Sequence, residues 1–205
     1  MKIICYGDSN TYGYDPVGRP ELRYEADSRW VDLIGRNLPD SCKIFNAGQN
    51  GREIPDNGWE SAEGTAQQLA AMTEPGAPGE SGDLIIVMLG GNDILLSSTG
   101  AEKTAEKMRR FLGAVKMEAP GRRILLVAPI IMKEGYWVPD RRFIEESEHL
   151  TKLYETLAAE MDVDFADANG WSVSLTADGV HFTREGHKAF AEGLTKHLKM
   201  WYSIG

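Results

Sequence analysis

The chain has 205 residues, a formal net charge of -9 at pH 7 and a 42% share of hydrophobic residues. That length suits one α/β domain able to bury a sizeable core without a disulfide or a metal. The acidic balance argues against nucleic acid or an anionic membrane surface as the main partner.

The first apolar run, Ile3-Ile4-Cys5-Tyr6, reads as a buried strand that ends in Gly7-Asp8-Ser9-Asn10-Thr11. An irregular aromatic segment follows, and Ser28 is the expected N-cap of a helix carrying Trp30, Val31, Leu33, Ile34 and Leu38 at helical spacing. Lys43 to Ala47 predicts a second strand, closed by the loop Gly48-Gln49-Asn50-Gly51. A helix is expected from about Glu60 to Met72, then a surface loop from Thr73 to Gly82. Asp83 to Leu89 is the clearest buried strand and stops at Gly90-Gly91-Asn92-Asp93. An amphipathic helix over Ala101 to Glu118 ends at Pro120-Gly121, and a fourth strand runs from Arg123 to Ala128. A long loop over residues 129–142 leads to a helix from Phe143 to Met161 and a short fifth strand over Val163 to Ala166. The last helix, Arg184 to Met200, has Thr183 as its cap.

Strand and helix alternate throughout, and strands apolar along their length are buried on both faces. The expected fold is therefore α/β, a parallel sheet with helices on each side, in a single domain over 1–205. Cys5 and Cys42 show no Cys-x-x-Cys or Cys/His spacing, so neither a disulfide framework nor a zinc site is expected. Met1-Lys2-Ile3 leads straight into the first strand, so no signal peptide is expected. No apolar run approaches the ~20 residues of a membrane span, so the expected location is the cytoplasm, with no membrane partner.

In a parallel sheet the C-terminal ends of all strands share one edge, where ligands bind. Ser9 follows strand one, Gly51 strand two, Asn92 strand three, and Asp178 and His181 lie beyond strand five. Residues far apart in sequence thus converge on one crevice. A serine hydroxyl becomes a nucleophile when a histidine takes its proton, and the histidine needs a partner to fix its tautomer. Asp178-Gly179-Val180-His181 offers both from one turn. The Ser9 and Gly51 N–H groups and the Asn92 amide are candidate donors for an oxyanion. Taken singly, each motif also fits a turn or a helix cap. His149, His187 and His197 fall in predicted helices without a partner and are expected at the surface or in capping roles. Candidate pocket residues are Tyr12, Tyr14, Trp59, Ile94, Trp137 and Val180, with the 129–142 loop among the expected pocket walls, and simple packing competes for the aromatic residues.

Gly7-Asp8-Ser9, Gly51 within Asn46-Ala47-Gly48-Gln49-Asn50-Gly51, Gly90-Gly91-Asn92-Asp93 and Asp178-Gly179-Val180-His181 together resemble the four blocks of the GDSL, or SGNH, hydrolases. The resemblance runs from residue 3 to about residue 190. It implies a three-layer α/β/α, flavodoxin-like fold with a five-stranded parallel sheet. It also implies Ser9 as nucleophile, His181 as base, Asp178 as its partner, an oxyanion hole of Ser9, Gly51 and Asn92, and no metal or organic cofactor. Gly7 to Pro16, Arg29-Trp30, Asn50-Gly51-Arg52-Glu53 and Met88 to Asp93 look most like the bacterial arylesterase and acyltransferase branch. Gly7-Asp8-Ser9-Asn10-Thr11 is not the Gly-x-Ser-x-Gly elbow of α/β-hydrolases. The expected activity is hydrolysis of small acyl or aryl esters through an acyl-enzyme on Ser9, with acyl transfer as a further outcome. Rivals are a carbohydrate O-deacetylase of the same fold and, more distantly, a flavodoxin-like phosphate- or flavin-binding module. The expected partner is a small-molecule ester, and aromatic residues on the 129–142 loop leave a homo-oligomer open.

Overall fold

A computed structural model describes residues 1–17, 22–57, 60–76, 82–202 and 204. Trp59 and residues 77–81 of the predicted surface loop lie outside the described residues. The strands are β1 (Lys2–Gly7), β2 (Lys43–Gly48), β3 (Leu84–Met88), β4 (Arg123–Ala128) and β5 (Asp164–Asp167). They form one sheet in the order β2-β1-β3-β4-β5, and every pairing is parallel. The helices are α1 (Ser9–Tyr12), α2 (Trp30–Asn37), α3 (Ala62–Met72), α4 (Gly91–Leu95), α5 (Ala101–Glu118), α6 (Arg141–Met161) and α7 (Arg184–Tyr202). A 3-10 turn over Ala168–Trp171 follows β5.

Side chains alternate across each strand. Ile4, Tyr6, Ile85, Val87 and Leu126 face a core closed by α3, α5 and α6. Ile3, Cys5, Ile86, Leu125 and Val127 face a second core closed by α2 and α7. The three-layer arrangement follows from strands that are apolar on both faces. The edge strands β2 and β5 are less buried, with Lys43, Asn46 and Asp167 exposed and Phe45 40% exposed.

Several local expectations need correction. Ser28 does not cap α2; Arg29 occupies the cap position without a side-chain bond, while Ser28 Oγ donates to Asp27 and accepts from Arg184. His187 is fully buried rather than at the surface, its ring edge-on to Tyr24 and Phe182 and its Nδ1 accepting the Trp30 N–H at 3.4 Å. Burial, helped by the Arg29 and His181 charges, draws its pKa down to about 3. α1 and α4, read as loops from sequence, are helices of four and five residues, too short to show a periodic pattern. Thr183 does cap α7, its Oγ1 accepting the Gly186 N–H at 2.9 Å.

α1 sits directly on the end of β2 because residue 48 has no side chain. A Cβ on Gly48 would stand 2.1 Å from the Tyr12 N atom and 2.5 Å from the Thr11 carbonyl carbon. Backbone cannot yield as a flexible side chain does, so Gly48→Ala should cost about 2–3 kcal/mol and lower Tm by about 5–10 °C. Gly113 in α5 has nothing within 4 Å of such a Cβ. Gly113→Ala should instead raise Tm, by reducing the freedom of the unfolded chain and improving helix propensity by roughly 0.5–1 kcal/mol. Thermal unfolding of the two variants beside the parent checks both signs.

Candidate active site

The crevice forms where β1, β3 and β4 end and the His181 turn comes to meet them. Ser9 is the first residue of α1, so its N–H is among those a helix start leaves without an intrahelical acceptor. Asp8 caps this helix by accepting the Asn10 N–H at 2.9 Å. Ser9 Oγ lies 2.9 Å from His181 Nε2, and His181 Nδ1 lies 2.7 Å from Asp178 Oδ2. Ser9, Asp178 and His181 are all buried. Asp178 turns its second oxygen, Oδ1, back to accept the N–H groups of Val180 at 2.8 Å and His181 at 2.9 Å. Burial alone would raise its pKa, but the His181 ring and these two N–H donors outweigh that and hold the carboxyl well below its usual range. An ionised carboxylate there keeps Nδ1 protonated and leaves Nε2 free to accept the serine proton.

Gly179 makes this turn fit. It adopts φ of 85°, and a Cβ would fall 2.1 Å from the Lys133 carbonyl oxygen. The 129–140 loop tracks the same turn through Lys133 N–H to Gly179 O (3.0 Å), Tyr136 N–H to Ala177 O (3.2 Å) and Trp137 N–H to Asp178 O (3.1 Å).

Asn92, on α4, is buried and donates one amide N–H to the Arg52 carbonyl at 2.9 Å. An amide NH2 has two donors, so the second remains for a ligand. Gly51 is exposed at the turn just before Arg52 and borders a separate polar groove of about 420 Å³, not the crevice lined by Ser9 and Asn92. Its link to Asn92 runs through Arg52 O. Arg52 itself donates to Gly7 O (3.0 Å) and Ala47 O (2.5 Å), and its guanidinium lies over the Tyr6 ring. Asp93, fully buried, accepts the Ile54 N–H at 3.0 Å and the Lys107 ammonium at 2.8 Å. Adjacent residues 92 and 93 thus pin the Gly51 loop at two points.

Of the sequence-predicted pocket residues, Val180 lines the crevice. Tyr14 lies with its ring 4.6 Å from that of His181, and half-exposed Trp137 stands edge-on to it at 5.9 Å. Tyr12 faces away, under the Arg23 guanidinium, and Ile94 is packed in the core beneath α5 and α6. Ile130 and Met132, from the 129–142 loop expected to wall the pocket, also line the crevice, as does Phe182, which was not anticipated. The end of β4 lies on the same edge as the other strand ends, so the loop that follows it reaches the crevice. Away from the crevice, Glu102, Glu146 and His149 bring potential ligand atoms within 4.8 Å of one another, though Glu146 already accepts the Ala101 N–H.

Against known proteins, residues 5–189 match the model of the GDSL-like lipase/acylhydrolase family. The chain belongs to that family. It is accordingly a carboxylic ester hydrolase. Similar solved structures include Est24, a carbohydrate acetylesterase from Sinorhizobium meliloti, with 25% identity, a TM-score of 0.82, and 98% of this chain and 99% of that one covered. A carbohydrate acetylesterase family member from the same organism has 28% identity, a TM-score of 0.80 and 98% of both chains covered. The M. smegmatis aryl esterase has 25% identity, a TM-score of 0.78 and full coverage of both chains. No curated protein gives a significant match. The GDSL fold of these neighbours agrees with the five-stranded sheet, and no helix among the described residues is long and apolar enough to cross a membrane.

Within the GDSL signature, the aspartate is the electrostatically costly residue. Burial pushes Asp8 up to about 6, against the pull of the Asn10 N–H and of the His181 and Arg52 charges. An acid with a raised folded pKa binds its proton more tightly in the native state. Its relative stabilisation is present below the unfolded value near 4 and is lost as pH rises through about 6. Asp8→Asn retains the oxygen that accepts the Asn10 N–H but cannot ionise. This variant should be more stable than the parent at pH 8, by up to about 3 kcal/mol, and the two should converge near pH 4. Denaturant unfolding at the two pH values measures the difference.

Proposed function

We propose that the chain is a serine esterase for short-chain acyl esters, with residues 1–205 acting as one hydrolase domain. The observation that supports this most directly is the unbroken hydrogen-bond chain from Asp178 through His181 to Ser9, buried beside the Asn92 amide. Ser9 Oγ attacks the acyl carbon as its proton passes to His181 Nε2, and the Asp178 carboxylate stabilises the imidazolium through Nδ1–H. Negative charge develops on the former carbonyl oxygen, for which the free Asn92 N–H and the Ser9 N–H are the donors at the crevice. The alcohol leaves with the proton from Nε2. The acyl group on Ser9 is then released to water, or to another acceptor, by the same proton exchange in reverse.

The acyl side is tight. The crevice lined by Ser9, Asn92, Ile130, Met132 and Val180 encloses about 20 Å³, close to the space of a single water. That favours acetyl over longer acyl groups. Beyond it, half-exposed Trp137 stands edge-on to His181, and its chain neighbour Tyr136 is exposed. This rim, and the two carbohydrate acetylesterases among the neighbours, favour O-deacetylation of a carbohydrate as a second reading of the same chemistry. A phosphate- or flavin-binding role leaves the Asp178–His181 pair without a task.

Initial rates on nitrophenyl esters of increasing acyl length test the reading. Acetate should be the best substrate, and hexanoate should fall by at least roughly tenfold, the scale of misfit in an apolar pocket. Ser9→Ala should abolish turnover with the fold intact, and Asn92→Ala should cost roughly 10²–10³ in kcat. Unchanged turnover in purified Ser9→Ala protein rejects the mechanism.

A further inference from the structure

We infer that Asn10 is a positioning residue that holds His181 in register with Ser9; this rests on the serine-esterase reading above. The Asn10 side chain bridges the backbone on both sides of the histidine. Its Nδ2 donates to Val180 O at 3.1 Å, and its Oδ1 accepts the Phe182 N–H at 2.9 Å. The two partners fix the amide's orientation, because a carbonyl can only accept and an N–H can only donate. His181 therefore projects from a peptide segment clamped immediately before and after it, by the residue that follows Ser9 in the chain.

The clamp is anchored in turn. The Asn10 N–H is fixed by Asp8 Oδ1, and the Asn10 carbonyl accepts the Trp30 indole N–H at 2.9 Å. Trp30 is 1% exposed and packs against Phe190 of α7. A rigid path thus leads from the core through Trp30 and Asn10 to the backbone of His181. It assigns work to two residues of the sequence signature, Asn10 and Trp30, that the reacting groups leave unused. Other side chains of similar size cannot substitute. Leucine would leave the Val180 carbonyl and Phe182 N–H without these partners, and an ionised aspartate cannot donate to Val180 O.

Displacing a reacting group by about 1 Å can cost about a hundredfold. Asn10→Ala should therefore lower kcat on nitrophenyl acetate by about 10- to 100-fold, with KM changed less than about threefold. Asn10→Asp separates positioning from general damage. It keeps the acceptor for Phe182, loses the donor to Val180 when ionised, and regains it when protonated. Its kcat relative to the parent should rise several-fold from about pH 8 to about pH 5.5, as the carboxyl approaches its protonation range. The nearby Asp8, Asp178 and His181 are common to both proteins, so the ratio isolates residue 10. A carboxylate acting only through its charge would favour imidazolium and make that ratio fall as the pH is lowered from about 8 to about 5.5. An Asn10→Ala kcat within twofold of the parent, or an Asn10→Asp ratio that is flat or falls, overturns the inference. His181→Ala in the same assay keeps the two levels apart. If it retains full activity the triad reading itself fails; if it is inactive while Asn10→Ala is not, only the clamp does.

Discussion

Every strand of the sheet runs in the same direction, and the crevice depends on that constraint. Parallel pairing from β2 to β5 sends the chain off the sheet at the same edge after each strand. Ser9, Arg52, Asn92, Ile130 and His181 belong to four such exits and to the approach to α7. The sheet brings the segments of positions 9 and 181 to one edge, and the Asn10 amide joins them there through Val180 O and the Phe182 N–H. The two apolar cores fix the register of the sheet, since a slip by one residue would exchange Ile3 with Ile4 between them.

Around this edge, polar groups are buried in a way that constrains geometry more than it adds stability. A buried ion pair gains little over well-packed apolar groups once desolvation is counted. Asp93 and Lys107 nevertheless lie 2.8 Å apart, with the carboxylate fully buried, and the second oxygen of Asp93 is spent on the Ile54 N–H. That bond and the one from Asn92 to Arg52 O hold opposite ends of a three-residue stretch. The same economy governs the Asp178 turn, where one oxygen fixes the imidazole and the other fixes the backbone that carries it. Such arrangements suit sites whose groups must not relax when charge develops, because reorganisation then contributes little to the barrier.

The sheet, the long helices and the four polar motifs were legible in the sequence because each rests on a repeating or local signal. Continuous apolar runs, helical spacing over 101–118, and glycine within two residues of serine, asparagine or histidine at strand ends need no tertiary knowledge. What escaped was set by contacts between distant segments. Ser28 has a good capping side chain, yet Arg184 and Asp27 engage it, and the helix begins one residue later. His187 reads as a polar residue on a helix, but its face of α7 meets Trp30, Tyr24 and Phe182. The 129–142 loop supplies crevice walls as expected, but nothing in the composition singles out Pro129, Ile130 and Met132 within it. Ile94 was the opposite case. It follows the Asn92 motif closely, but a helical turn at α4 rotates it into the core.

If Ser9 carries the acyl group, the two sides of the ester meet very different surroundings. The acyl side faces a crevice of about 20 Å³ walled by Ile130, Met132 and Val180. Apolar walls of this kind separate substrates by only about 1–3 kcal/mol per methylene. They can reject long chains, but they say little about the alcohol. On the other side His181 is flanked by the Tyr14 ring and the edge of Trp137. Trp137 is tied through its backbone to Asp178, and the loop it belongs to is tied to Gly179 and Ala177. A ligand that shifts Trp137 therefore acts on the backbone of the turn that carries His181, and selectivity for a group bound there should be expressed in turnover as well as in binding.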